Sequence, residues 1–132
     1  MHLYLSALQY LCGMDKIKRL VDTIVAGIQE KKGTGITIID LSSIDGTICK
    51  YFVICQGNSP MQVEAIAESV GDYCREKEGE KPVHVVGLEN AQWVAIDFVD
   101  VMVHIFLPDV RTYYDLENLW QDASRTDIPD LD

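Results

Sequence analysis

Two hydrophobic rhythms alternate along the chain. Ile17, Leu20, Val21, Ile24 and Ile28 recur at helical spacing. Asp15 suits the N-cap, Lys31 and Lys32 suit the C-terminal end, and Gly33 can close it, so a helix is expected over about 15–31. Residues 36–41 (ITIIDL) and 51–55 (YFVIC) are apolar and rich in β-branched side chains, as buried strands are. A polar turn through Ser42, Ser43, Asp45 and Gly46 separates them. Ser59-Pro60-Met61-Gln62 carries a cap, a first-turn proline and a capping-box glutamine. The helix it opens has Val63, Ile66, Ala67, Val70 and Cys74 as its buried stripe and ends before Gly79 and Pro82.

A short strand at 83–86 and a loop through Gly87 and Asn90 come next, then strands at 93–97 and 101–107. Pro108-Asp109 opens a last helix with Tyr113, Leu116, Trp120 and Ala123 on one stripe. The tail after Arg125 reads as acidic and frayed. This order of elements predicts one α/β domain, a mixed sheet of about five strands flanked by helices. The domain is expected over residues 14–124, with 125–132 as an acidic tail. Met14 reads as the native start, which makes residues 1–13 an upstream extension; the alternative is a helical turn packed on the domain.

Joining the last two strands by a two-residue loop, Phe98-Val99, sets Asp97 opposite Asp100, Ala95 opposite Met102 and Trp93 opposite His104. One face of that hairpin is aliphatic: Val94, Ile96, Val101, Val103 and Ile105. The other shows Trp93, Ala95, Asp97, Asp100, Met102, His104 and Phe106, the mixture of aromatic and polar groups found at interfaces. Each has a plainer reading: Trp93 as a core tryptophan, His104 as a covered and satisfied histidine, the aspartates as solvated residues beside a turn.

Charge narrows the partner. The net charge is −10, and residues 82–132 hold ten acidic side chains against Arg111 and Arg125 alone. Such a surface repels a phosphate backbone, so direct nucleic-acid binding is not expected. It suits a basic protein, or serves only solubility. Cys12, Cys49, Cys55 and Cys74 form no C-x-x-C pair and read as reduced thiols of a cytoplasmic protein. The stretch LYLSALQYLC at 3–12 is too short to span a membrane and lacks signal-peptide flanks.

The segment GLENAQWVAIDFVDVMVHIFLPDVRTYYDLENLW, residues 87–120, resembles the signature region of the ribosomal silencing factor (Iojap-like) family. Its motifs fall in order on Trp93, Asp97, Asp100, Val101 to His104, Arg111, Tyr114, Leu116-Glu117 and Leu119-Trp120. YFVICQGNSPMQV, residues 51–63, matches the family's strand-to-helix element, and the likeness covers about 14–124. The family's turn often contains Gly where Phe98-Val99 stand here, and often has Asp at the position of Lys50, so that acid's role is not carried over. The resemblance implies a nucleotidyltransferase-like fold without catalysis. It implies binding to a basic ribosomal protein on the joining face of the large subunit, which hinders association with the small one. It also suggests a homodimer in the free protein, self-contacting through the hairpin face. Trp93, Asp97, Asp100, Met102, His104, Arg111 and Tyr114 are the expected partner-binding residues.

Enzyme readings fare worse. Asp97 and Asp100 are the one carboxylate pair at a strand end, with no Lys or Arg nearby in sequence to hold phosphates. No P-loop, dinucleotide glycine motif or nucleophile elbow is present. No Cys/His spacing resembles a zinc site, and no cofactor is expected. The alternatives kept are a nucleotidyltransferase-like enzyme and an assembly chaperone for the large subunit.

Overall fold

The computed structural model describes residues 2–44, 46–47 and 49–131, with side chains from residue 16 onward. Asp45 of the expected turn and the side chains of Cys12 and Asp15 lie outside the described residues. The elements are α1 (His2–Glu30), β1 (Thr34–Asp40), β2 (Tyr51–Gln56), α2 (Pro60–Glu78), β3 (His84–Val86), β4 (Trp93–Asp97), β5 (Val101–Phe106), α3 (Pro108–Tyr114), α4 (Leu116–Leu119) and β6 (Ser124–Ile128). They form one domain around a six-stranded mixed sheet in the order β3-β4-β5-β2-β1-β6. The β2–β5 pair is parallel and every other pairing antiparallel.

One face of the sheet is the main core. Ile24 and Ile28 of α1 and Val63, Ile66 and Val70 of α2 bury against Val53, Cys55, Val94, Ile96, Val101, Val103 and Ile105. These are the aliphatic positions singled out from the alternating pattern. The helix pair is close: Ser69 Oγ donates to the carbonyl of Gly27 at 2.7 Å. The start of α2 is capped as expected. Ser59 Oγ accepts from the Gln62 amide, and Gln62 Oε1 accepts from the Asn58 amide at 2.7 Å.

Three expectations about elements need correction. Asp15 does not begin a helix, because α1 runs unbroken from His2; the preceding segment is rich in Leu and holds no proline to stop the helix. The last helix is not continuous. It breaks at Asp115, whose φ of 51° is left-handed, so α4 turns away and Tyr113 is 80% exposed instead of sharing a buried stripe. The tail is not frayed, since β6 pairs with β1 from Ile36↔Ile128 to Asp40↔Ser124. Side chains secure it: Thr37 Oγ1 donates to Asp127 Oδ1 at 2.9 Å and the Gly35 amide donates to Asp130 Oδ1 at 2.9 Å.

The hairpin register is a fourth correction. Asp97 pairs with Met102, Ala95 with His104 and Trp93 with Phe106, two residues away from the expected alignment. The loop is Val99-Asp100, closed by Phe98 N–H to Val101 O at 2.9 Å. A slip of two keeps each strand residue on its face, so the division into two faces survives. The β-branched Val99 takes φ 76°, and the Asp97 carboxylate accepts its amide at 2.8 Å. Local hydrogen bonding thus offsets the steric cost of positive φ at a β-branched residue.

Candidate functional site

The second face of the sheet is only half covered. Helices α3 and α4 lay Val110, Leu116 and Trp120 over Ile39, Phe52, Ile54 and Phe106, forming a smaller core above β1, β2 and β5. Beyond that cover the face continues over β4 and β3. Pairing places His84 beside Asp97 and Val86 beside Ala95, so these four share the open face with Trp93 and Met102. His84 and Val86 are exposed, while Trp93, Ala95, Asp97 and Met102 are half-buried.

Trp93 sits where cover gives way to open face. Its ring stacks on Phe106 at 5.0 Å between centroids, and Tyr114, at the end of α3, leans on it at 4.7 Å. Trp93 Nε1 donates to His104 Nδ1 at 3.0 Å. Tryptophan has only a donor to offer, so His104 Nδ1 is the acceptor and the neutral imidazole carries its proton on Nε2. His104 is buried, its ring edge-on to Phe52 at 5.0 Å, and Nε2 has no hydrogen-bond partner among the described residues. Burial depresses its pKa from 6.5 to about 4, which keeps the ring neutral near pH 7. Backbone geometry holds the other end of the strand start. Gly87, at φ 94°, lies so close to the Trp93 carbonyl that a Cβ there would come within 2.0 Å of its oxygen.

Arg111 points inward. Its Nε donates to Glu117 Oε1 at 2.7 Å, with the two side chains 13% and 9% exposed. One terminal nitrogen donates to the Gly35 carbonyl at 2.6 Å and to Gln56 Oε1 at 3.3 Å, and the other donates to Thr37 Oγ1 at 3.2 Å. Thr37 passes the connection on to Asp127 of β6. Arg111 therefore ties α3, α4, β1, β2 and the C-terminal strand together, and holds the cover that ends at Tyr114.

Of the expected residues, the structure brings together Trp93, Asp97, Met102, His104 and Tyr114. Asp100 is not among them. It lies in the turn and borders a small cleft with Lys16, Leu20, Glu80 and Phe98, on the α1 side. The expected meeting of Asp97 and Asp100 does not occur, because Asp97 faces Met102 across the ladder. Val86 and His84 were missed as site residues, although period two in HVV marks them as sharing one face. Cys49, Cys55 and Cys74 are free and buried; desolvation pushes Cys55 and Cys74 up to about 12, so neither is a ready thiolate. Among the described residues, no three or more His, Cys, Asp or Glu side chains gather as they would to hold a metal ion, and no helix is long and apolar enough to cross a membrane.

Residues 14–132 match the model of the family described as ribosomal silencing factor during starvation. The chain belongs to that family. The Bacillus subtilis ribosomal silencing factor RsfS is 38% identical over 111 residues, covering 84% of this chain and 92% of its own. A crystal structure of a Chromobacterium violaceum protein, 35% identical, superposes with a TM-score of 0.75 over 79% of this chain and 85% of the other. A mouse relative, named mitochondrial assembly of ribosomal large subunit protein 1, is 28% identical over 102 residues, covering 76% of this chain and 44% of that protein. Members of that family are named for a regulatory role, not for a catalysed reaction.

Proposed function

We propose that the chain is a translational repressor. It docks the open sheet face around Trp93 on a basic protein at the joining face of the large ribosomal subunit, and its bulk then blocks the small subunit. The observation that carries this reading is the partial cover of that face. Trp93 and Tyr114 form a packed aromatic step at its margin, and Asp97, at the far end of β4 on the same face, offers a carboxylate to a partner's Lys or Arg. Family membership supports the ribosome as target, and the mouse relative's name refers to the large subunit. The net charge of −10 favours a basic protein over RNA. The action is non-catalytic and cytoplasmic, alongside the ribosomes. In the free protein, the same aromatic face pairs two copies, which light scattering at high micromolar concentration tests.

Sucrose-gradient centrifugation of purified subunits tests the main claim. The chain should travel with the large subunit and reduce the joined-ribosome peak. Binding should weaken as salt rises to physiological strength, where screening lengths fall to about 8 Å. Travel with the large subunit and no effect on joining would favour an assembly factor, the reading that the mouse relative's name suggests.

A further inference from the structure

The two edges of the sheet are finished differently. On the β6 edge, Arg125 and Asp127 are exposed and Pro129 follows the strand, features that discourage pairing with another chain. On the β3 edge stand His84, Val85 and Val86, all exposed, with Val83 before them at 56% exposure. Lys81 and Pro82 stand before the strand, but among the described residues no bulge or covering element blunts its edge from Val83 to Val86. Val85 pairs with buried Ile96, so it lies on the side of the sheet that α2 covers. There Val85, Leu88 and Pro82 form one wall of a groove of about 360 Å³, and Ala67 and Gly71 of α2 lie along the other.

Gly71 is the informative residue. It lies inside a 19-residue helix, where glycine is a poor choice, and a Cβ there would touch nothing. The fold does not need that space, whereas a backbone approaching from outside would. The charge beside it is acidic. Asp72 holds Arg75 at 2.9 Å, and Glu64 and Glu68 line the groove with Lys81.

We propose that the open edge of β3, with the α2 groove beside it, takes an extended basic segment of a partner protein as a seventh strand. The added strand hydrogen-bonds to β3, and the row of side chains it turns towards α2 is apolar beside Ala67 and Gly71 and ends in Lys or Arg where it reaches Glu64 and Glu68. This edge borders the Trp93 face through His84 and Val86, but the α2 groove lies on the opposite side of the sheet, and the inference does not depend on the ribosomal reading.

The probe is a synthetic peptide with Thr at every second position and, between them, Val followed by Lys or Arg, so that one face carries both the apolar and the cationic side chains; it is added to the full chain labelled for amide NMR. The amides of Val83 to Leu88 should shift and gain exchange protection. Replacing Lys and Arg by Glu in the peptide, or methylating its alternate backbone nitrogens, should weaken binding about tenfold or more. Gly71→Leu fills the groove while improving the helix, so it should fold at least as well and lose the peptide; Val85→Lys should lose it as well. Equal binding by Gly71→Leu, or unshifted Val83–Leu88 amides, overturns the proposal. So does peptide-free chain whose β3 edge is protected in a dimer that Val85→Lys dissolves, because a second copy would then be the occupant.

Discussion

Trp93 Nε1 and His104 Nδ1 are 3.0 Å apart, and the bond between them fixes both the indole's orientation and the histidine's tautomer. The two residues are diagonal neighbours on adjacent strands, since Ala95 and Phe106 are their direct partners. The bond also satisfies a donor that would otherwise be left half-buried.

The first prediction follows from His104. Its folded pKa of about 4 lies below the ordinary 6.5, so between those values the unfolded chain binds more protons than the folded one. Stability from the neutral ring is then complete above pH 6.5 and declines as pH falls towards 4. The loss should reach about 3 kcal/mol, at 1.36 kcal/mol per pKa unit. Urea unfolding at a series of pH values reads it. His104→Asn, which keeps an acceptor near Nδ1 but does not titrate, should flatten this window relative to wild type. Parallel profiles for the two proteins would count against the assignment.

Arg111 yields a second prediction. Arg111→Ala strands Glu117, 9% exposed, without its cation, and removes donors from Gly35, Gln56 and Thr37. A cost of about 3–5 kcal/mol is expected. Lysine should rescue little of it, since a single ammonium cannot span that fork. Hydrogen exchange should show Thr126 to Ile128 losing protection first, because Thr37 links Arg111 to Asp127. Unchanged melting in Arg111→Ala would contradict the network.

Val99 gives the third. Its φ of 76° is strained for a β-branched residue, and its side chain is 56% exposed. Val99→Gly should stabilise the protein by about 1 kcal/mol, relieving backbone strain with little packing lost. A lower melting temperature in that variant would show that the turn is not strained.

How far the sequence could be read depends on whether a feature has a period. The division of β4 and β5 into an aliphatic and a mixed face was legible because alternation survives a two-residue slip. The loop itself was not: Asp97 holding the Val99 amide is a side-chain effect that alternation does not encode. β6 escaped notice because SRTDI is polar and exposed, an edge strand held by Thr37–Asp127 and by backbone pairing, not by burial. Arg111 illustrates a limit of motif reading. The family resemblance set Arg111 among the partner-binding residues, whereas the fold gives its guanidinium partners within the chain. Asp100 was grouped with Trp93 through the wrong register, and the correct one leaves it in the turn.

The central claim is that Trp93 contributes to a docking surface beyond its part in the fold, and one variant tests it directly. Trp93 is half-buried at the margin of the smaller core, so Trp93→Ala will cost some stability. Melting and large-subunit binding should be measured on the same preparation, at a temperature where the variant is fully folded. The account predicts a folded protein whose affinity for the large subunit falls by about 2–4 kcal/mol, or some 30- to 1,000-fold. A folded Trp93→Ala protein that binds the large subunit as tightly as wild type would contradict it.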